Sequence, residues 1–218
     1  NPVLQGGSEA WEITGVGGAS VLMLGPGDYQ MWYTGISGST ASIGWAYSPD
    51  GITWFKRPGG AAVLIGSPGS WDADSVAFPS VIFDGGLFKM WYTGQDKSQG
   101  LGSYLYELAI GYAYSSDSVN WTKDPDPVLT KTTGAWDDRG VGACSVIKFG
   151  AYGFTMYYTG FELGGSVKAE IGKAVCYDGI GLEWFKSGSR VLEAGDSWDV
   201  AGVAAPSVLI MDGATKMW

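Results

Sequence analysis

One pentapeptide constrains this chain more than any other feature. Met31-Trp32-Tyr33-Thr34-Gly35 returns as Met90-Trp91-Tyr92-Thr93-Gly94 and as Met156-Tyr157-Tyr158-Thr159-Gly160, and its opening returns as Met217-Trp218. The copies lie about 60 residues apart, a period that belongs to arrays of one repeated supersecondary unit. Such a chain is confined to folds in which each unit buries its faces against its neighbours.

Other columns keep the same beat. A Trp followed by a carboxylate precedes each copy: Trp11-Glu12, Trp71-Asp72, Trp136-Asp137 and Trp198-Asp199. Between them lie short apolar runs, Ala19-Ser20-Val21-Leu22, Pro79-Ser80-Val81-Ile82, Cys144-Ser145-Val146-Ile147 and Pro206-Ser207-Val208-Leu209. Downstream come Ile43-Gly44-Trp45-Ala46, Ile110-Gly111-Tyr112-Ala113 and Ile171-Gly172-Lys173-Ala174, each followed by a further Trp at 54, 121 and 184. Four repeats begin and three finish, dividing a single domain into 1–60, 61–126, 127–190 and an incomplete 191–218.

Within the second repeat, 76–83 and 87–93 read as strands joined by the tight turn Asp84-Gly85-Gly86. A third strand is expected over 109–114 and a fourth within 121–129, with no helical period anywhere in the unit. Lys89-Met90-Trp91-Tyr92 carries bulk on both faces, so the sheet must be covered on both sides. Radial stacking of sheets meets that demand. The fold class expected is therefore all-β: a β-propeller of four-stranded antiparallel blades, about three and a half of them here, with the repeated aromatics forming blade-to-blade core.

Composition limits the chemistry. The chain has 218 residues, 45% hydrophobic and 14% aromatic, enough to bury a sizeable core. It has no His, which removes the commonest general base and the commonest metal ligand. A net charge of −9 without a Lys/Arg cluster argues against nucleic acid as a partner. The absence of a long apolar run argues against a membrane span, and a soluble extracellular or cytoplasmic protein is expected. Cys144 and Cys176, on the first and third strands of one repeat, are expected to be free, half-buried thiols, and no cofactor is expected.

The segment Ser48-Pro49-Asp50-Gly51-Ile52-Thr53-Trp54 reads as a turn in which the Asp caps backbone N–H groups and Gly takes positive φ. It resembles the Asp-box turn of sialidase-like propellers, shortened by one residue. Asp117 and Asp178 stand at the same point of the next two repeats.

Taken together, the run Pro79-Ser80-Val81-Ile82, Asp84-Gly85-Gly86, Met90-Trp91-Tyr92-Thr93-Gly94, Ile110-Gly111-Tyr112-Ala113, Asp117 and Trp121 resembles the repeat of five-bladed propeller glycosidases and phosphorylases. This superfamily includes glycoside hydrolase families 43, 32, 68 and 130, and the likeness spans the whole chain. It implies catalytic carboxylates on the innermost strands, typically an Asp directly before the Pro-like position of one blade and a Glu two residues before it in another. Here those positions hold Gly18, Phe78, Ala143 and Ala205, and Gly17, Ala77, Gly142 and Ala204. No acid stands in either column, which leaves a weakly polar funnel with Phe78 as its bulky group and no catalytic residue to assign.

Residues private to one copy are the remaining candidates for ligand contact, because a shared position is explained by the scaffold. In the loops entering the inner strands these are Asp74, Asp138 and Arg139. The connections between second and third strands add Asp96, Tyr104, Tyr106 and Glu107 in the second repeat, and Glu162 and Glu170 in the third. Rings beside carboxylates suit a sugar, whose apolar face stacks while its hydroxyls bond. Asp72, Asp74, Asp137 and Asp138 could offer oxygen to calcium, but their spacing matches no calcium loop. Three and a half blades leave sheet faces open, so a fragment of a longer propeller, or self-association that completes the ring, is expected. Two functions remain open: a carbohydrate-binding, catalytically inactive propeller, or a structural repeat without a ligand. A third is a glycosidase or phosphorylase whose catalytic groups lie partly elsewhere.

Overall fold

A computed structural model describes residues 2–7, 9–58, 63, 65–97, 108–163, 167–195 and 197–218. After a 3-10 turn at Ala10–Glu12, the chain forms β1 (Gly15–Gly25), β2 (Asp28–Ser37), β3 (Thr40–Ser48) and β4 (Phe55–Lys56). The second unit is β5 (Ser75–Asp84), β6 (Leu87–Gln95), β7 (Leu108–Ser115) and β8 (Thr122–Lys123). The third is β9 (Gly140–Phe149), β10 (Gly153–Leu163), β11 (Val167–Cys176) and β12 (Trp184–Leu192), followed by the hairpin β13 (Val208–Met211) and β14 (Ala214–Met217). Pairing within each unit is antiparallel in sequence order. The expected strands of the second unit fall within a residue or two of those observed. Its fourth is shorter, with Leu129 rejoining Ile110 through an isolated bridge.

The turn chemistry explains these boundaries. Gly85 and Gly86 take φ of 61° and 82°, the paired positive values of a two-residue hairpin loop. Asp50 accepts N–H bonds from Ile52 and Thr53 at 2.8 and 2.6 Å, while Trp54 folds back to donate to the Gly51 carbonyl at 3.3 Å. Asp117 and Asp178 repeat that cap. Backbone and hydroxyl donors lower the Asp50 carboxyl from 3.8 to about 2, and the Asp117 carboxyl falls for the same reason. Their folded values are depressed, so the stability they add is present above pH about 4 and is lost as pH falls through the folded values. Urea midpoints are expected to drop between pH 4 and 2, and Asp50→Asn with Asp117→Asn should flatten that drop.

Side chains from adjacent units make the core. Trp32 is fully buried, donates to the Ser118 carbonyl of the next unit at 3.0 Å and meets Trp121 edge-on with centroids 6.0 Å apart. Trp91 repeats this with Gly181 at 2.9 Å and Trp184 at 5.9 Å. Backbone joins the units thinly: Ala41 pairs in parallel with Ser75, Leu108 with Gly140 and Ala169 with Gly202. The thiols are free but fully buried, not half-buried, since both point into the packed side of the third unit. Burial raises Cys144 to about 12, so it is no nucleophile.

Candidate functional site

The inner strands β1, β5 and β9, with the segment leading into β13, line a funnel of about 480 Å³. At the same height in each copy the chain turns left-handed: Gly18, Phe78, Ala143 and Ala205 have φ of 50°, 51°, 43° and 54°. Pairing explains why. Between Ala77 and Ser80 the register slips against β6, so that Phe78 and Pro79 together oppose one residue, and β1 slips likewise between Gly17 and Ser20. A bulge of this kind re-aims a side chain, here into the funnel. Non-Gly residues in this conformation cost about 1 to 3 kcal/mol each unless their surroundings impose it.

The repeated Thr and Ser impose it. Phe78 N–H donates to Thr34 Oγ1 of the preceding unit at 2.8 Å, Ala143 to Thr93 at 2.8 Å and Ala205 to Thr159 at 2.9 Å. One step further along, Val81, Val146 and Val208 donate to Ser20, Ser80 and Ser145 at 3.0, 2.9 and 3.1 Å. Thr93→Val keeps the shape but orphans the Ala143 N–H. A loss of about 1 to 2 kcal/mol is expected, measurable as a lower urea midpoint.

Phe78 is 42% exposed, and its ring covers Gly18, where an added Cβ would stand 2.7 Å from Cδ1. Carboxylates are scarce around it: Asp84, at the far end of β5, is the one acid on the inner strands among the described residues. It is bound by Lys89 at 2.9 Å and by Lys148. Partial burial works against the charged form, yet the two ammonium groups outweigh it and hold the Asp84 carboxyl below its ordinary range.

The rim residues divide. Asp74 spends one oxygen on the Lys97 N–H and is half-buried beside buried Asp96. Asp138 and Arg139 are half-buried on the corresponding loop of the third unit, where Arg139 N–H donates to the Phe161 carbonyl at 3.0 Å. Glu162 is ion-paired with Arg190 at 3.1 Å, and Arg190 also reaches Glu170, which is buried. Tyr104, Tyr106 and Glu107 lie outside the described residues. The structure therefore brings Phe78 to the funnel wall and Asp74, Asp138, Arg139 and Glu162 to loops and strand ends of the second and third units.

Sequence reasoning passed over one cluster that recurs in the first three units. In the first three units the carboxylate after the Trp is buried and accepts a bond from the Tyr at the third position of the pentapeptide: Tyr33 to Glu12 at 3.0 Å, Tyr92 to Asp72 at 3.1 Å and Tyr158 to Asp137 at 3.3 Å. Lys56, Lys123 and Lys186 complete the ion pairs. Burial first, then the adjacent carboxylate, pushes these Tyr hydroxyls well above their ordinary range. The signal was available: each Lys stands two residues after a Trp, in Trp54-Phe55-Lys56, Trp121-Thr122-Lys123 and Trp184-Phe185-Lys186. Lys holds Asp72 and Asp137, two of the four carboxylates that could offer oxygen to calcium, and no cluster of three His, Cys, Asp or Glu with metal-binding geometry occurs among the described residues.

Solved structures share this architecture. A glycosyl hydrolase from Bacteroides ovatus matches with TM-score 0.77 and 15% identity, over 99% of this chain and 66% of its own. A β-1,2-mannobiose phosphorylase from Listeria innocua matches with TM-score 0.72 and 17% identity, over 100% and 60%. A family 117 glycoside hydrolase from Zobellia galactanivorans gives 0.69 and 18%, over 93% and 65%. The chain has the fold of the glycosidase and phosphorylase β-propellers. In sequence it is similar to an uncharacterized protein of Mycobacterium tuberculosis, 31% identical over 137 residues, which are 63% of this chain and 43% of that protein. A second strain's counterpart is 30% identical over the same length. No family model matches. No helix among the described residues is long and apolar enough to cross a membrane.

Proposed function

We propose that the chain supplies the wall of a glycan-binding funnel in a glycosidase-like propeller of four-stranded blades, without a catalytic carboxylate pair on its described inner strands. The left-handed column carries this reading. A strained conformation kept on a cavity wall in four copies is a device for presenting side chains at one height around one axis. It is also the column where the resemblance implies a catalytic Asp. Gly18, Phe78, Ala143 and Ala205 can neither protonate a leaving oxygen nor attack a sugar carbon, and glycoside cleavage needs two groups for those tasks. They can form an apolar floor. Phe78 gives a ring for the apolar face of a sugar, with the Ser20, Ser80 and Ser145 hydroxyls beside it. Asp74, Asp138, Arg139 and Glu162, with Tyr104, Tyr106 and Glu107, would meet the parts of a glycan that reach the rim.

Calorimetric titration with a panel of oligosaccharides that includes β-mannosides tests the reading. At least one is expected to bind, with Phe78→Ala about fivefold weaker, the equivalent of one lost ring contact. Silence across the panel would remove glycan binding, and turnover of aryl glycosides by this chain would remove the claim about catalysis.

One observation favours the second reading, a structural and self-associating repeat. Large apolar side chains are exposed away from the chain's ends as well, among them Tyr152 at 73% and Tyr177 at 62% in the third unit. Concentration-dependent sedimentation, together with silence toward sugars, would support it.

A further inference from the structure

The funnel has one charge on its wall. Among the described residues that line it, Lys148 alone carries a charged side chain, and the wall toward the same end is otherwise apolar, with Ile82, Ile147 and Ile210. Lys148 is also a surplus cation. Asp84 already has a partner in Lys89, whose ammonium lies 2.9 Å from the carboxylate, donates to the Gly179 carbonyl at 2.9 Å and stands 4.8 Å from the centre of the Phe154 ring. That pair is withdrawn from water, its side chains 8% and 14% exposed. Lys148 brings a second ammonium to the same carboxylate, so the three groups together carry one positive charge. An ammonium has three donors. Asp84 takes one from Lys148, no other acceptor among the described residues takes the rest, and the side chain is 36% exposed.

The scaffold does not call for this charge. Three residues after the shared Ser the four units carry Met23, Phe83, Lys148 and Ile210, so apolar groups serve in the other three. We propose, resting on the glycan-binding reading above, that the funnel selects an acidic glycan whose carboxylate or sulfate is received by Lys148. Apolar neighbours lower the local dielectric and strengthen such a pair relative to one in open water. The chain's net charge of −9 does not decide the matter, because exposed charges more than about 8 Å away are largely screened at physiological ionic strength. The same cavity contains Phe78. Lys148 stands five residues beyond Ala143, which shares Phe78's column, and at about 3.3 Å per strand residue that is roughly 16 Å along the wall. A ligand that meets both is therefore an oligosaccharide, with its acidic group toward the β9–β10 hairpin and an apolar sugar face on the Phe78 ring.

The test is calorimetric titration of the whole chain with oligomers of galacturonate and of mannuronate, each beside its carboxyl-reduced neutral counterpart, and with a sulfated galactan oligomer beside its desulfated form. At least one acidic oligomer is expected to bind about tenfold more tightly than its neutral counterpart, the worth of one hydrogen bond to a charged group. A preference among the uronates alone identifies a carboxylate as the anchored group, one for the sulfated oligomer alone a sulfate, and both together any oxyanion. Lys148→Met should remove the difference by weakening the acidic member only, and Lys148→Arg should keep it. Folding should survive the change to Met, since Met23 holds that column in the first unit and Asp84 keeps Lys89; an unchanged urea midpoint checks this. Neutral oligomers that bind as tightly as acidic ones, or a preference that survives Lys148→Met, would overturn the charge assignment and leave glycan binding standing. Silence from acidic and neutral members alike would remove both.

Discussion

Asp137→Ala is expected to lower the free energy of unfolding by about 3 kcal/mol, the low end for removing one partner of a buried ion pair. Asp137 is 1% exposed and accepts bonds from the Tyr158 hydroxyl at 3.3 Å, the Thr132 N–H at 3.1 Å and Lys186. Alanine leaves the hydroxyl and the N–H without an acceptor and the ammonium without its charge partner. The loss is softened because Lys186 keeps the Thr130 carbonyl at 2.6 Å and the Thr132 hydroxyl at 2.9 Å. Urea unfolding should show the midpoint falling with an unchanged slope. Asp137→Ala combined with Lys186→Met should cost less than the two changes added together, because each removes the other's liability. Strict additivity would mean that the pair does not couple.

Gly94→Ala is expected to be at least as damaging, about 3 kcal/mol, although it adds a single carbon. The pentapeptide's Gly is present because the Trp71 ring lies over it: an added Cβ would overlap Trp71 Cζ3 and come within 2.7 Å of Asp72 Cβ. Neither neighbour can yield. Trp71 stacks on Tyr92 with centroids 5.7 Å apart, and Asp72 is held by Tyr92 and Lys123. The diagnostic result is the background dependence: in Trp71→Ala the same substitution should cost well under half as much, since the obstacle is gone. Gly35 and Gly160 lie under Trp11 and Trp136 in the same way, so the effect should recur there.

These two clusters also show where the sequence could be read and where it could not. The strands, the Asp84-Gly85-Gly86 turn and the Asp50 cap depend on neighbours within a few residues, and alternation with turn chemistry is enough to locate them. The Trp-carboxylate column was visible as a column but not as half of an ion pair, because its Lys returns on the unit's last strand, 51 residues away for Lys123 and Asp72. The left-handed turn at Phe78 was harder still. Phe, Ala and Ala are residues that local preference would never place at positive φ. The conformation is imposed by Thr34 and its counterparts, whose hydroxyls act across the boundary between units. For the rim, a one-dimensional comparison separated private residues from shared ones. It could not show that Glu162 is committed to Arg190 or that Asp74 caps Lys97.

The single-residue parallel pairings between units bear on how the molecule comes apart. Antiparallel ladders inside a unit run for up to ten pairs, as between β10 and β11, whereas one Cα pair links β3 to β5 and one links β7 to β9. Side chains must therefore transmit cooperativity from one unit to the next: the shared apolar core, with two hydroxyls at the funnel wall and an indole farther out. A junction held in that way has no ladder to unzip, and opening it exposes the apolar core that the two units share. Amide exchange should then report neighbouring units as separate cooperative blocks, with Val81 and Val146, whose N–H groups face a hydroxyl across the seam, exchanging ahead of the ladders on either side.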